Sequence, residues 1–174
     1  MTAPIPYPEF DALSPELQEA ITSRASLNVY RMVAHSPGLA PAFYTMASDI
    51  FVNNSLPPDW RELAILRVGH AYAAIYETHH HTNIGKAVGM SDAALIAAQT
   101  GERTGLTAEE TAVVEITEQL LNNHTLDDAG RAAALSVLTV TQLADLVLTV
   151  GFYQLVCNFL NTFHVMPEDG QPQP

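Results

Sequence analysis

Helix-start signals punctuate this chain, and no stretch between them alternates apolar and polar residues as a half-buried strand must. Ser14-Pro15-Glu16 supplies an N-cap, a proline at the first helical position and an acid in the first turn. Asn28 is placed to cap a short second helix, and Ala40 to Phe51 reads as a third. Pro58-Asp59 opens a fourth, which a bend near Ala73 to Ile75 separates from a fifth that stops at Gly89. Ser91-Asp92 caps a sixth, and Thr107 with Glu110 forms a capping box for a seventh. Thr125 with Asp128 marks an eighth, and Thr141 the last and longest, to about Phe163. The expected fold is therefore all-α: one domain of eight or nine helices over 15–166, with an extended proline-rich arm at 1–14 and a loose tail at 167–174.

The 174 residues are 48% hydrophobic, enough for one sizeable core. Nineteen acids against seven Lys and Arg give a net charge of −12, which repels phosphate backbones and argues against nucleic-acid binding. The longest apolar run, Leu143 to Leu160, is broken by Asp145, Gln154 and Asn158, so it reads as a buried helix and not as a membrane span. The N-terminus has neither a basic start nor an apolar stretch, and a cytoplasmic protein is expected. Cys157 is the lone cysteine and sits among apolar residues, so it can form no intrachain disulfide.

Chemistry concentrates between Glu62 and Gly89, in ELAILRVGHAYAAIYETHHHTNIGKAVG. His79, His80 and His81 stand in a row, and Glu62 and Glu77 lie among apolar or small residues. Glu77 and His81 are four apart and share a helix face, with His80 three from Glu77. His79 lies about 100° round from His80, so the three rings cannot share one pocket equally. A carboxylate beside an imidazole fixes its tautomer and raises its basicity. Burial disfavours the charged form of a carboxylate, which moves it toward proton-transfer work.

This stretch, together with Asn28-Val29-Tyr30-Arg31, Ser55-Leu56-Pro57-Pro58 and the Tyr153, Asn158 and Asn161 of the closing helix, resembles the carboxymuconolactone decarboxylase superfamily, which includes alkylhydroperoxidase D. The resemblance covers roughly residues 25 to 165 and implies that superfamily's helical bundle. Its peroxidase branch carries E-x(11)-C-x-x-C-x-x-x-H. Laid on this chain, the glutamate falls on Glu62 and the histidine on His81, while the cysteine places fall on Ala74 and Glu77. A thiol peroxidase needs an attacking thiolate and a resolving thiol, so that activity is not expected.

The resemblance and the residues together point to cofactor-independent acid-base chemistry: decarboxylation, isomerisation or elimination on a small organic acid, lactone or ketone. Glu62, Glu77, His81 and His80 are the catalytic candidates, and Arg61, Tyr76 and His70 the substrate-binding ones. The alternatives are a divalent metal such as zinc held by Glu62, Glu77, His80 and His81, a non-catalytic helical assembly protein, or residual peroxidase activity. The resemblance also implies a homo-oligomer, a trimer or hexamer, with which the apolar last helix agrees.

Overall fold

The computed structural model describes residues 5–168. Among them the chain forms nine α-helices and one 3-10 turn, with no strand. The 3-10 turn at Phe10–Ala12 interrupts the arm, which lies on its own chain: Pro6 O is 2.8 Å from His35 Nε2, and Arg31 sits over the Tyr7 ring. Residues 1–4 of the arm and 169–174 of the tail lie outside the described residues.

α1 (Pro15–Thr22) starts where Ser14 Oγ accepts from Leu17 N, and α2 (Asn28–Val33) and α3 (Ala40–Val52) follow. α4 (Pro58–Ala71) is the hub, touching α5 (Ile75–Ala87), α6 (Asp92–Thr100), α7 (Ala108–Asn123) and α9 (Val140–Phe163). A helix surrounded on all sides cannot keep a polar stripe, and Arg61 to Leu66, Val68 and Gly69 are all buried. That is why Glu62, wholly inaccessible to solvent, needs partners inside the protein. α8 (Asp128–Val137) packs across α7 and α9.

Three helix starts differ from the sequence reading. α9 is capped by Thr139, two residues before Thr141, because Gln142 closes a capping box with Thr139, whereas the third residue after Thr141 is Ala144. α8 is capped by Asp127, whose Oδ1 accepts from Gly130 N at 2.7 Å; the Thr125 hydroxyl is turned to Leu126 O instead. Asn28 is the first residue of α2 and not its cap: its N–H donates to Glu168 Oε1 at 2.6 Å, and its side chain to Met166 O. The tail is correspondingly not loose at its start, since Pro167 is buried and Glu168 is tied down.

The break before α5 falls where the sequence placed it. Tyr72 ends α4, Ala73 takes φ +50°, and Ala74 N closes back on Gly69 O. Asn161 Nδ2 donates to Tyr72 O at 2.7 Å, so α9 clamps the break from outside. The bend swings α5 back along α4. At Gly69 a Cβ would lie 3.3–3.4 Å from Thr78 and Glu77, so the glycine sets how near Glu77 comes.

α9 is long and apolar enough to cross a membrane by length and composition. It nevertheless sends Leu146, Val150, Tyr153, Cys157 and Leu160 into the core. Its opposite side leaves Val140, Val147, Leu148 and Leu155 exposed.

Candidate active site

Glu62, from the middle of α4, and Glu77 and His81, one turn apart on α5, meet in the interior. His81 Nδ1 lies 2.6 Å from Glu62 Oε2, and His81 Nε2 lies 2.8 Å from Glu77 Oε1. Both ring nitrogens thus face carboxylates, an arrangement satisfied when both carry protons. Burial alone would push the imidazole down, but the charge of Glu77 and the hydrogen bonds to Glu62 and Glu77 carry it up to about 9. His81 is accordingly an imidazolium at neutral pH. The second Glu62 oxygen is taken by Arg61, whose Nε and Nη2 each lie 3.1 Å from Oε1. Two cations and two anions balance, which is how four buried charges become tolerable.

Aromatic rings seal this group. Phe51 stacks on His81 with centroids 5.9 Å apart and covers the Arg61 guanidinium at 4.6 Å. Tyr153 of α9 meets the His81 ring edge-on at 5.1 Å. Burial, with the charges of Glu77 and Glu62, holds the Tyr153 phenol well above its usual range, so it stays a neutral donor.

A cavity of about 120 Å³ opens above the pair. Glu77, His80, His81, Tyr76 and Tyr153 give it a polar floor and side, and Val29, Tyr30, Phe43, Phe51, Phe152 and Val156 make the apolar walls. The second Glu77 oxygen makes no hydrogen bond among the described residues, on the side chain that lines this cavity.

The predicted site residues divide. Glu62, Glu77 and His81 come together. His80 lines the cavity on the other side of Glu77, packed on Tyr76 with rings 4.5 Å apart, while His79 does not line it. Burial lowers the His80 proton affinity more than nearby Glu168 raises it. Glu168 Oε2 is 2.8 Å from His80 Nε2, but too misaligned for a good hydrogen bond. Tyr76 lines the cavity, yet its hydroxyl is spent: it donates to Glu168 Oε1 at 2.8 Å and accepts from Val29 N. Arg61 does not line the cavity, because Glu62 and Phe51 O occupy its guanidinium. His70 is half-buried, outside the cavity, its proton affinity lowered by burial and by Arg67.

Among the described residues no group of three His, Cys, Asp or Glu is arranged to hold a metal ion. Carboxylates engage both His81 nitrogens, and His80 points toward Glu168, so the four residues considered as metal ligands do not converge on one point. Cys157 is fully buried and its thiol is pushed up by burial and then by Glu77, the opposite of a reactive thiolate.

The sequence reading did not place Phe51, Tyr30 or Glu168 at the site. Phe51 and Tyr30 come from α3 and α2, and no local pattern marks which apolar residue will roof a distant histidine. Tyr153 carried a signal, falling in phase with Leu146, Val150 and Cys157 on the buried face of α9.

Residues 37–119 match the carboxymuconolactone decarboxylase family. No curated protein matches the chain at a significant level. A peroxidase-related protein from Ralstonia eutropha JMP134 with an alkylhydroperoxidase AhpD core superposes with a TM-score of 0.84 at 18% identity, over 95% of this chain and 92% of that one. A peroxidase-related protein from Silicibacter sp. TM1040 gives 0.79 at 18% identity, over 99% of this chain and 100% of that one. The debrominase Bmp8, as a variant in complex with 2,3,4-tribromopyrrole, gives 0.76 at 15% identity, over 97% and 92%. The chain thus shares its fold with AhpD-core proteins along its length, its residues 37–119 are similar to the carboxymuconolactone decarboxylase family, and Ala74 and Glu77 stand at the two cysteine places of the peroxidase pattern.

Proposed function

We propose that this protein is a small enzyme that moves protons on a bound organic molecule without a cofactor, in a decarboxylation, isomerisation or elimination. The observation that carries the reading is the buried Glu62–His81–Glu77 chain ending in an open carboxylate oxygen at an apolar cavity. Glu77 takes the position where a related peroxidase keeps a thiol, and it is the group that meets the substrate. As a base, its free oxygen accepts the substrate proton. As an acid, it returns a proton at a second substrate atom while His81 passes the Nε2 proton to its other oxygen. Glu62, held by Arg61, stabilises the imidazolium through Nδ1 and keeps the ring oriented. Tyr153 holds the ring from its edge and offers a neutral hydroxyl to developing negative charge.

Support comes also from the company of the fold, which includes a debrominase seen with a small ring compound. The cavity is open and not filled by side chains, which speaks against a purely structural role. The outer face of α9, with Leu148 and Leu155 exposed, suits contact between copies of the chain.

The deciding experiment follows deuterium uptake from solvent into small ketones, lactones and unsaturated acids by NMR, with chelator present. Wild type catalyses exchange or turnover of at least one of them. Glu77→Gln and His81→Ala lower it about 100-fold or more, in the range of a lost general acid or base. Full activity in both variants, or loss of wild-type activity on adding chelator, overturns the proposal.

A further inference from the structure

The cavity lining contains no Lys or Arg. The nearest guanidinium, Arg61, lies behind Glu62, bonded to it and to Phe51 O and roofed by the Phe51 ring. His81 is a cation, but its Nδ1 is hydrogen-bonded to Glu62 and its Nε2 is ion-paired with Glu77 at 2.8 Å. Burial lowers the His80 proton affinity, and Glu168, 2.8 Å from its Nε2, already supplies a negative charge there. Glu77 lines the cavity, and its second oxygen makes no hydrogen bond among the described residues. An anionic ligand would therefore meet a carboxylate and find no counter-charge, a juxtaposition that disfavours ionisation or binding.

What the lining offers is specific in the other direction. The free Glu77 oxygen accepts a hydrogen bond. The Tyr30 and Tyr153 hydroxyls donate to no group among the described residues and can give one. Val29, Phe43, Phe152 and Val156 present flat apolar surface between them. A volume of about 120 Å³ is on the scale of one small ring, since an apolar cavity of roughly 150 Å³ holds benzene.

We infer that the site selects a neutral, single-ring molecule carrying an O–H or N–H donor, such as a phenol or an enol, which it docks on Glu77, and that it excludes carboxylate anions. This narrows the proposed proton-transfer reading to isomerisation or elimination on neutral substrates, sets decarboxylation aside, and rests on that reading for catalysis, though selection itself is a property of binding.

Three ring compounds of one size separate the possibilities: phenol, anisole and benzoate. Binding to the full-length protein at pH 7 is followed by chemical-shift changes at Phe51, Tyr153 and Val156. Phenol binds in the cavity, anisole at least fivefold more weakly and benzoate at least tenfold more weakly. In Glu77→Gln the benzoate penalty shrinks at least fivefold, while the shift changes stay at the same three residues. Absence of phenol from the cavity, equal binding of benzoate in wild type, or an unchanged phenol-to-benzoate ratio in Glu77→Gln overturns the inference. If the ratios come out as stated but no deuterium exchange is catalysed, the selectivity stands and the catalytic reading fails.

Discussion

Replacing His81 with Gln tests the buried charge arrangement through its pH dependence. The native ring holds its proton with an affinity of about 9, against 6.5 for a free imidazole. The difference is two and a half decades, about 3 kcal/mol at about 1.4 kcal/mol per decade. Because the folded value is the raised one, this stabilisation is fully present below pH 6.5. It is lost as pH rises through about 9. Urea unfolding of wild type and His81→Gln, measured from pH 7 to 9.5, gives the two curves. At pH 7 the variant leaves Glu62 and Glu77 buried with one cation between them, and it should be about 3 kcal/mol less stable. By pH 9.5 the native ring is neutral too, and most of the gap should close. Cys157, whose thiol is also raised by burial, begins to destabilise both proteins in the upper part of this window, so it cancels in the difference. A gap that stays constant from pH 7 to 9.5 refutes the reasoning, since a ring buried neutral contributes only packing.

Three further outcomes follow from the same contacts. Glu62→Gln removes the Nδ1 carboxylate, so the His81 titration seen by NMR should fall by a unit or more, and proton transfer should drop about tenfold or more. Glu168→Gln removes a carboxylate that accepts from Asn28 N and Tyr76 OH, and should cost about 1 kcal/mol in urea unfolding at pH 7. Burial raises the Glu168 carboxyl, but these hydrogen bonds outweigh it and hold it below its usual range. The Glu168 contribution is therefore present above pH 4.5 and fades as pH falls through the lowered value, which unfolding at pH 3 to 6 will show. Leu148→Glu with Leu155→Glu, placed on the exposed side of α9, should lower the molar mass measured by light scattering while leaving the circular dichroism of the helices unchanged.

The helical architecture was legible because its signals are local. Thr107 and Glu110 close a capping box within one turn, and Gly89 ends α5 with φ +91°. The pairing of Glu77 with His81 was legible through spacing, and that of Glu62 with them through the family resemblance; the bend at Ala73, which folds two consecutive helices together, is what brings Glu62 across. Contacts between segments distant in sequence were not. Glu168 reaches Asn28 across 140 positions, and its role is set by where the chain returns after α9. Arg61 could by sequence make an ion pair or hold a substrate carboxylate; the complete burial of Glu62 demands a partner, and the adjacent guanidinium supplies it. His70, on the other side of α4, illustrates the same point: a position on a helix fully surrounded by others does not reveal which neighbour it will face.

The central claim is that His81 is an imidazolium clasped by two carboxylates. Nitrogen-15 NMR of the His81 ring in wild type at pH 7.5 reads this directly. Two protonated ring nitrogens, remaining so until the pH approaches 9, are the predicted result. One bare ring nitrogen at pH 7.5, with titration near 6.5, would contradict the account.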